Sequence, residues 1–187
     1  MNGLQLVMSY LRVFFRALQE PDYGYLFFEP LLLYGVAFGL IAFLFGLILK
    51  DSKTQILGLV FIVGSCLSVA PYLSQRKTSE ERIVQIFSLS QPDRAYGFSY
   101  NNEDRIKKQW YFWTTAALAT LTLVFGQGES RPRRLLNAAT ILFCILTITY
   151  ASLAHYEDSK VYHPNLRREL SPPPPPPSSL APPGRKA

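Results

Sequence analysis

The stretch LLLYGVAFGLIAFLFGLIL at residues 31–49 decides the fold, because it is long enough to cross a bilayer core and contains no Asp, Glu, Lys, Arg or His. Three further stretches share this property, at residues 54–73, 110–126 and 135–154. Buried helices of soluble proteins seldom reach this length without a charge on their outer face. The sequence therefore predicts an all-α membrane protein whose transmembrane domain, residues 31–154, is a four-helix bundle.

Three polar parts surround or interrupt these spans. Residues 1–19 are predicted to form an amphipathic helix at the membrane interface, because Arg12 and Arg16 lie one turn apart in an apolar segment. A helix packed on the loops of this protein is an equally open alternative. Residues 74–109 form a long polar loop between the second and third spans. Residues 155–187 form a polar tail with six consecutive prolines, predicted to be largely disordered; whether it is a spacer or a ligand for proline-binding proteins stays open.

Local patterns predict some order near the loop and the first span. Thr78 and Glu81 have the spacing of a capping box, which predicts the start of a short surface helix. Residues 96–100 are predicted to be irregular. Glu29 and Pro30 are predicted to form the first turn of the first span, with Glu29 as its cap and a ligand or proton site as the alternative. The loop is the largest exposed element and is rich in Tyr and Arg, so it is the predicted partner surface.

Small and weakly polar residues recur on single faces of the predicted spans. Small side chains let a neighbouring helix approach closely. The predicted helix-packing positions are Gly35, Gly39, Ala42, Gly46, Thr115, Ala119 and Thr122. The fourth span carries a candidate polar interior at Asn137, Thr140 and Thr147. Aromatic residues often mark membrane boundaries, and Trp110 and Trp113 are the predicted interface anchors.

The distribution of Lys and Arg favours both termini in the cytoplasm. The side that holds the N-terminus, the long loop and the tail carries 14 of these residues, against 5 on the side of the two short turns. Lys50 and Lys53, directly after the first span, argue locally for the reverse orientation. The layout resembles that of small four-span bacterial membrane proteins, without a shared motif. The predicted location is therefore the bacterial cytoplasmic (inner) membrane.

No motif in the sequence indicates catalysis or a bound group. CxxC, HExxH, GxGxxG and Walker spacings do not occur, and Cys66 and Cys144 both fall inside predicted spans. We therefore predict no enzyme, no catalytic residue, no cofactor and no metal. The net charge of +6 is explained by contact with anionic lipid headgroups and needs no nucleic acid. The predicted partners are the lipid bilayer and either another membrane protein or further copies of this chain.

Four classes of function remain open. The favoured one is a non-catalytic accessory or scaffolding subunit of a larger membrane complex. The alternative is a small permease or channel subunit for a neutral or lipophilic solute. A surface haem or metal needs His155 and His163, whose spacing of eight residues is not a usual ligand motif. A lipid-modifying enzyme needs the cluster of His155, Glu157 and Asp158, which is also typical of the solvated end of a span.

Overall fold

The structure, a computed structural model, describes residues 3–126 and 131–162, and these residues form helices and no strand. The helices are α1 (Gly3–Gln19), α2 (Pro21–Pro30), α3 (Val36–Ile48), α4 (Ser52–Leu67), α5 (Val69–Ser90), α6 (Pro92–Lys108), α7 (Trp110–Phe125) and α8 (Arg131–Tyr162), with a π-helical segment at Leu31–Gly35 between α2 and α3. The predicted all-α class is confirmed. Of the tail predicted to be largely disordered, residues 155–162 belong to α8 and are helical, and residues 163–187 lie outside the described residues.

Three helical stretches among the described residues are long and apolar enough to cross a membrane. They are Tyr23–Leu49 with 27 residues, Ser52–Ser88 with 37 and Arg133–Val161 with 29. Helix α7 has 16 residues, and at 1.5 Å per residue it is about 24 Å long. That is shorter than the roughly 30 Å of a hydrocarbon core. Membrane-length helices thus cover three of the four predicted spans, and the fourth stays a prediction.

Helices α3 and α4 pack against each other through glycines. A Cβ added to Gly39 would lie 2.8 Å from Ile62 Cγ1, and one added to Gly58 would lie 2.5 Å from the Phe43 backbone nitrogen. A Cβ on Gly46 would meet the Gln55 backbone nitrogen at 2.5 Å. The contacts near the end of α3 are with the start of α4, so the two helices are antiparallel. Only glycine permits backbones to approach this closely.

The turn between α3 and α4 is short and well capped. Lys50 adopts φ 54, and the Asp51 amide donates to the Gly46 carbonyl at 3.0 Å. This is the left-handed helix end that usually selects glycine. The Asp51 carboxylate accepts from the amides of Lys53 at 3.2 Å and Thr54 at 3.1 Å, which satisfies free donors at the start of α4. Hydrogen bonds from Thr54 and Lys53 hold the pKa of Asp51 below its usual value.

The first span begins earlier than predicted. Helix α2 already includes Glu29 and Pro30, and no side chain caps the π-helical segment that follows. The predicted role of Glu29 as a helix cap is therefore wrong. Pro30 is likewise not in a first turn but at the last position of α2. Proline removes one backbone donor, and the hydrogen-bonding pattern changes to π-helical directly after it.

The predicted long loop is a helical hairpin, made of α5 and α6. The Thr78 hydroxyl donates to the Ser74 carbonyl inside α5, so the predicted capping box is wrong. Residues 96–100, predicted to be irregular, lie inside α6. Phe98 of α6 is fully buried in the hairpin. Packing of this kind stabilises helices whose intrinsic propensity is low, which explains why the polar sequence was misread.

Helix α1 forms at residues 3–19, as the amphipathic pattern predicts. Its side chains from residue 5 to residue 17 are all exposed, including large apolar ones such as Val13 at 67%. The Phe14 ring packs edge-on against Phe27 of α2, with 5.5 Å between centroids. An exposed apolar helix favours the interfacial interpretation over a helix packed on the loops of the chain.

Candidate functional site: a buried ion cluster and two cavities

A buried ion cluster joins four helices at one end of the bundle. Its centre is Asp158 of α8, which accepts from Arg76 of α5 and from Arg105 of α6. Arg76 Nη1 lies 2.8 Å from Asp158 Oδ2, and Arg76 Nη2 lies 3.1 Å from Oδ1. Arg105 Nη2 lies 2.6 Å from Asp158 Oδ2. Arg76 is 0% exposed, Arg105 8% and Asp158 4%. Their charges therefore interact mainly with one another and little with solvent.

The cluster extends to α2 and further along α6. Arg105 Nη2 also donates to Glu29 Oε1 at 3.2 Å, and the same oxygen lies 3.3 Å from His155 Nδ1. Asn101 Nδ2 donates to Asp158 Oδ1 at 2.9 Å. Two guanidinium groups therefore face two carboxylates, and the cluster is neutral when His155 is unprotonated.

Aromatic rings enclose the buried guanidinium groups. The Arg76 guanidinium carbon lies 4.5 Å from the Phe98 ring centroid and 5.7 Å from that of Tyr25. Arg76 Nη1 also donates to the Tyr72 hydroxyl at 3.2 Å, and Arg105 lies over the Tyr72 ring at 5.4 Å. Cation–π contacts of this kind partly replace the lost hydration of a buried cation.

The charges of the cluster stabilise one another. Burial acts to lower the pKa of Arg105, but attraction to the Tyr72 oxygen and to Asp158 outweighs it and raises that pKa. Arg105 therefore keeps its positive charge inside the cluster. A buried charge without its partner costs several kcal/mol, roughly 3–5 when one member of a pair is removed. The cluster consequently holds α5, α6 and α8 in one arrangement.

A second polar contact fixes the two helices of the hairpin to each other. Glu80 of α5 accepts from the Ser99 hydroxyl at 2.6 Å and from the Asn102 side-chain amide of α6. Asn102 is fully buried. The hairpin is thus closed by hydrogen bonds within it and attached to the bundle by the ion cluster.

The buried threonines of α7 and α8 pair with each other. The hydroxyls of Thr115 and Thr147 lie 2.8 Å apart, and those of Thr122 and Thr140 also lie 2.8 Å apart. All four residues are at most 2% exposed. Their hydroxyls connect the two helices and leave no gap between the paired side chains.

The other residues singled out in the sequence lie in several places. Gly35 meets Ser65 of α4, and Ala119 is fully buried. Ala42 is half-buried. Asn137 lines a small cavity of about 80 Å³ between α4, α7 and α8. The two tryptophans at the start of α7, Trp110 and Trp113, are 48% and 41% exposed.

Two larger cavities adjoin the ion cluster. The first, of about 220 Å³, lies between α2, the π-helical segment, α5 and α8; its walls are mainly apolar, with polar groups from Glu29 and His155. The second, of about 700 Å³, is a groove between α6 and α8 whose surface is mainly apolar but whose lining includes seven charged residues (the polar groove). Arg105, Tyr150 and Ala154 line both of them, so the apolar cavity and the polar groove share a wall.

The sequence did not predict this cluster. Asp158 follows the last span directly, where charged residues are normally solvated, and the expectation of a solvated residue is wrong for it. The sequence predicts Arg76 and Arg105 to lie in a loop and indicates no individual role for either residue. The one available signal is that each of the cluster's charged residues lies just outside an apolar stretch. That signal is weak, because most charged residues of membrane proteins occupy such positions.

The site does not resemble a metal centre in the part of the chain that the structure describes. No group of three or more His, Cys, Asp or Glu side chains there is arranged to hold a metal ion. The surface haem or metal considered from the sequence needs His163, which lies outside the described residues. Its other ligand, His155, contacts Glu29.

Comparison with known proteins gives no relative: no family model, no curated protein and no solved structure matches the chain. The functional argument therefore depends on the geometry of the site itself.

Proposed function

We propose that this protein is a four-span, non-catalytic integral membrane subunit of a larger membrane complex. Its α5–α6 hairpin, called the platform, presents a fixed helical surface to that complex. The observation that carries the proposal is the attachment of the α5–α6 hairpin to the bundle. Asp158 of α8 binds Arg76 of α5 and Arg105 of α6 at the same time. A surface held in one conformation loses little conformational entropy when a partner binds, which is the property that a scaffold needs.

The platform carries an exposed aromatic pair. The rings of Tyr96 and Tyr100 on α6 stack with 6.4 Å between centroids, and the residues are 75% and 62% exposed. Helix α6 is rich in charged residues and is not a candidate span, so the pair faces water or a protein partner. Tyrosine is enriched at protein interfaces because it gives large contact area at small entropic cost.

The position of the ion cluster supports α7 as the fourth span. Glu29 and Arg76 meet at the same end of the bundle although α3 and α4 lie between them in sequence. Arg105 and Asp158 meet there too, with α7 and most of α8 between them. A chain that returns to one side of a membrane must cross it an even number of times. The proposed topology has both termini in the cytoplasm and the bundle in a bacterial inner membrane, following the Lys and Arg distribution.

The alternative, a small permease or channel subunit, has less support. It assigns the solute path to hydroxyl-bearing faces. The hydroxyls of Thr115 and Thr147 are bonded to each other, and so are those of Thr122 and Thr140. Of these four residues, Thr122 alone also lines a described cavity, the small one of about 80 Å³. Closed pairs of this kind favour a packing role.

The test is purification of the tagged full chain in mild detergent, with mass spectrometry of the proteins that accompany it. We expect a stoichiometric membrane-protein partner, lost from the Tyr96→Ser variant and kept by Tyr156→Ser. Tyr156 is the matched control because it is 57% exposed on a different helix, α8. A partner retained equally by both variants contradicts the assigned surface.

A partner-free protein contradicts the scaffold itself. In that case solute uptake into proteoliposomes, altered by Thr122→Val, would support the permease alternative. A self-associated oligomer that dissociates on Tyr96→Ser would keep the platform and assign it to a second copy of the chain.

A further inference from the structure

Three buried donor groups around the polar groove have no hydrogen-bond partner among the described residues. They are Arg94 Nε, Arg105 Nε and Tyr150 Oη. Nearly all buried polar groups in proteins are paired, because an orphaned one costs free energy. Arg105 is 8% exposed, so bulk water does not satisfy it. The Arg105 N–H and the Tyr150 O–H belong to residues that line both the groove and the apolar cavity, and they indicate a ligand with acceptor oxygens. Arg94 lies 11 residues, about 16 Å, away from Arg105 along α6.

The groove shares its wall with the apolar cavity. Arg105, Tyr150 and Ala154 line both spaces, which measure about 700 and 220 Å³. Two of the three orphaned donors, on Arg105 and Tyr150, therefore lie where the polar and the apolar space adjoin. Leu26 and Tyr34, which line the apolar cavity, are 46% and 56% exposed and belong to a candidate membrane span. A ligand that fits both spaces has an apolar chain and an oxygen-rich head.

The charges of the groove select the headgroup. Its lining includes side chains of both signs, and they are Asp93, Arg94, Asp104, Arg105, Lys108, Glu157 and Lys160. Asp104 pairs with Lys108 and Glu157 with Lys160. Carboxylates so close to the cations disfavour a purely anionic head, whereas a zwitterionic head is attracted by both signs. The membrane that the apolar helices indicate is itself a source of such molecules.

We propose that the groove and the apolar cavity together hold one membrane phospholipid with an amine in its headgroup. One acyl chain lies in the apolar cavity, the phosphate accepts from the orphaned donors of Arg105 and Tyr150, and the ammonium group lies among the groove carboxylates. Tyr96, the residue changed in the partner test, lines neither space, whereas its stacked neighbour Tyr100 lines the groove.

The test uses the delipidated full chain in detergent, titrated with short-chain phosphatidylethanolamine and phosphatidylglycerol and followed by native mass spectrometry. We expect tighter binding of phosphatidylethanolamine. Tyr150→Phe removes only the orphaned hydroxyl and should weaken that binding about tenfold, the effect of losing a hydrogen bond to a charged group. Tyr156→Phe, on the same helix but outside both spaces, should bind as the parent does.

A stability measurement separates binding from folding. Removing an unpaired buried hydroxyl does not destabilise a protein, so the melting temperature of lipid-free Tyr150→Phe should equal or exceed that of the parent. Unchanged lipid affinity in Tyr150→Phe would overturn the site. Phosphatidylglycerol bound as tightly as phosphatidylethanolamine would overturn the headgroup assignment, and equal binding of decanoate, which has no phosphate, would do the same.

Discussion

Replacing Asp158 by alanine tests the ion cluster most directly. The carboxylate is 4% exposed and receives hydrogen bonds from Arg76, Arg105 and Asn101. Without it, two buried guanidinium groups share one remaining carboxylate, that of Glu29. Removing one member of a buried ion pair costs about 3–5 kcal/mol. At about 2–4 °C per kcal/mol for a chain of this size, the melting temperature should fall by roughly 10 °C.

The measurement is thermal unfolding in detergent, followed by the loss of monodisperse protein on size exclusion. Glu157→Gln is the matched control, because Glu157 is adjacent, its side chain is 53% exposed, and it pairs only with Lys160 of its own helix. Exposed pairs contribute about 0–1 kcal/mol. The reasoning is refuted if Asp158→Ala and Glu157→Gln unfold at the same temperature.

A double substitution separates charge from packing. Arg76→Met together with Asp158→Leu leaves Arg105 paired with Glu29 and keeps the cluster neutral. Hydrophobic replacement of a buried ion pair is often neutral or stabilising. The double variant should therefore be more stable than Asp158→Ala alone. If it is less stable, the effect comes from lost packing and not from an unpaired charge.

Three further predictions concern the bundle. Gly39→Ala should lower the free energy of unfolding by about 1–3 kcal/mol, because the new Cβ meets backbone atoms of α4. Gly64→Ala, with open space around it, should not lower it. Thermal unfolding of the two variants compares them. Thr115→Val and Thr147→Val in a double-mutant cycle should give a coupling of about 0.6–1.7 kcal/mol, and a zero coupling would exclude a stabilising hydroxyl pair. The lowered pKa of Asp51 means that its cap stabilises the fold above the pKa of the unfolded chain and is lost as the pH falls through the lower, folded-state pKa. Asp51→Asn should accordingly flatten the acid limb of a plot of melting temperature against pH.

The sequence correctly predicted those structural features that depend on residues close to one another in the chain. The apolar run at residues 31–49 and the glycines on one of its faces specify a helix that a neighbour can approach closely, and α4 meets Gly39 there. Hydrophobic periodicity acts within a few residues, so one sequence is enough to find it, whereas both caps predicted from the sequence are wrong.

The ion cluster has no local signature. Asp158 is 82 residues from Arg76 and 53 from Arg105, and each of the three resembles the polar end of a helix. Their burial depends on the hairpin packing against the bundle, and the hairpin was itself predicted as loop because its sequence is polar. Tertiary packing overrides local propensity in the hairpin. The three residues are therefore brought together only in the folded chain.

The sequence separations within the cluster also set an order of assembly during synthesis. Translation proceeds at about 5–20 residues per second, so the 82 residues between Arg76 and Asp158 correspond to a delay of about 4–16 s. During that delay Glu29 is the one cluster carboxylate already made. The bonds from the hairpin to Asp158 therefore cannot form until the chain has been synthesised through that residue, and until then the ion pair of Arg105 with Glu29 is the one available. A nascent chain that ends between Arg105 and Asp158 keeps two cluster arginines with one cluster carboxylate, and synthesis of α8 supplies the second.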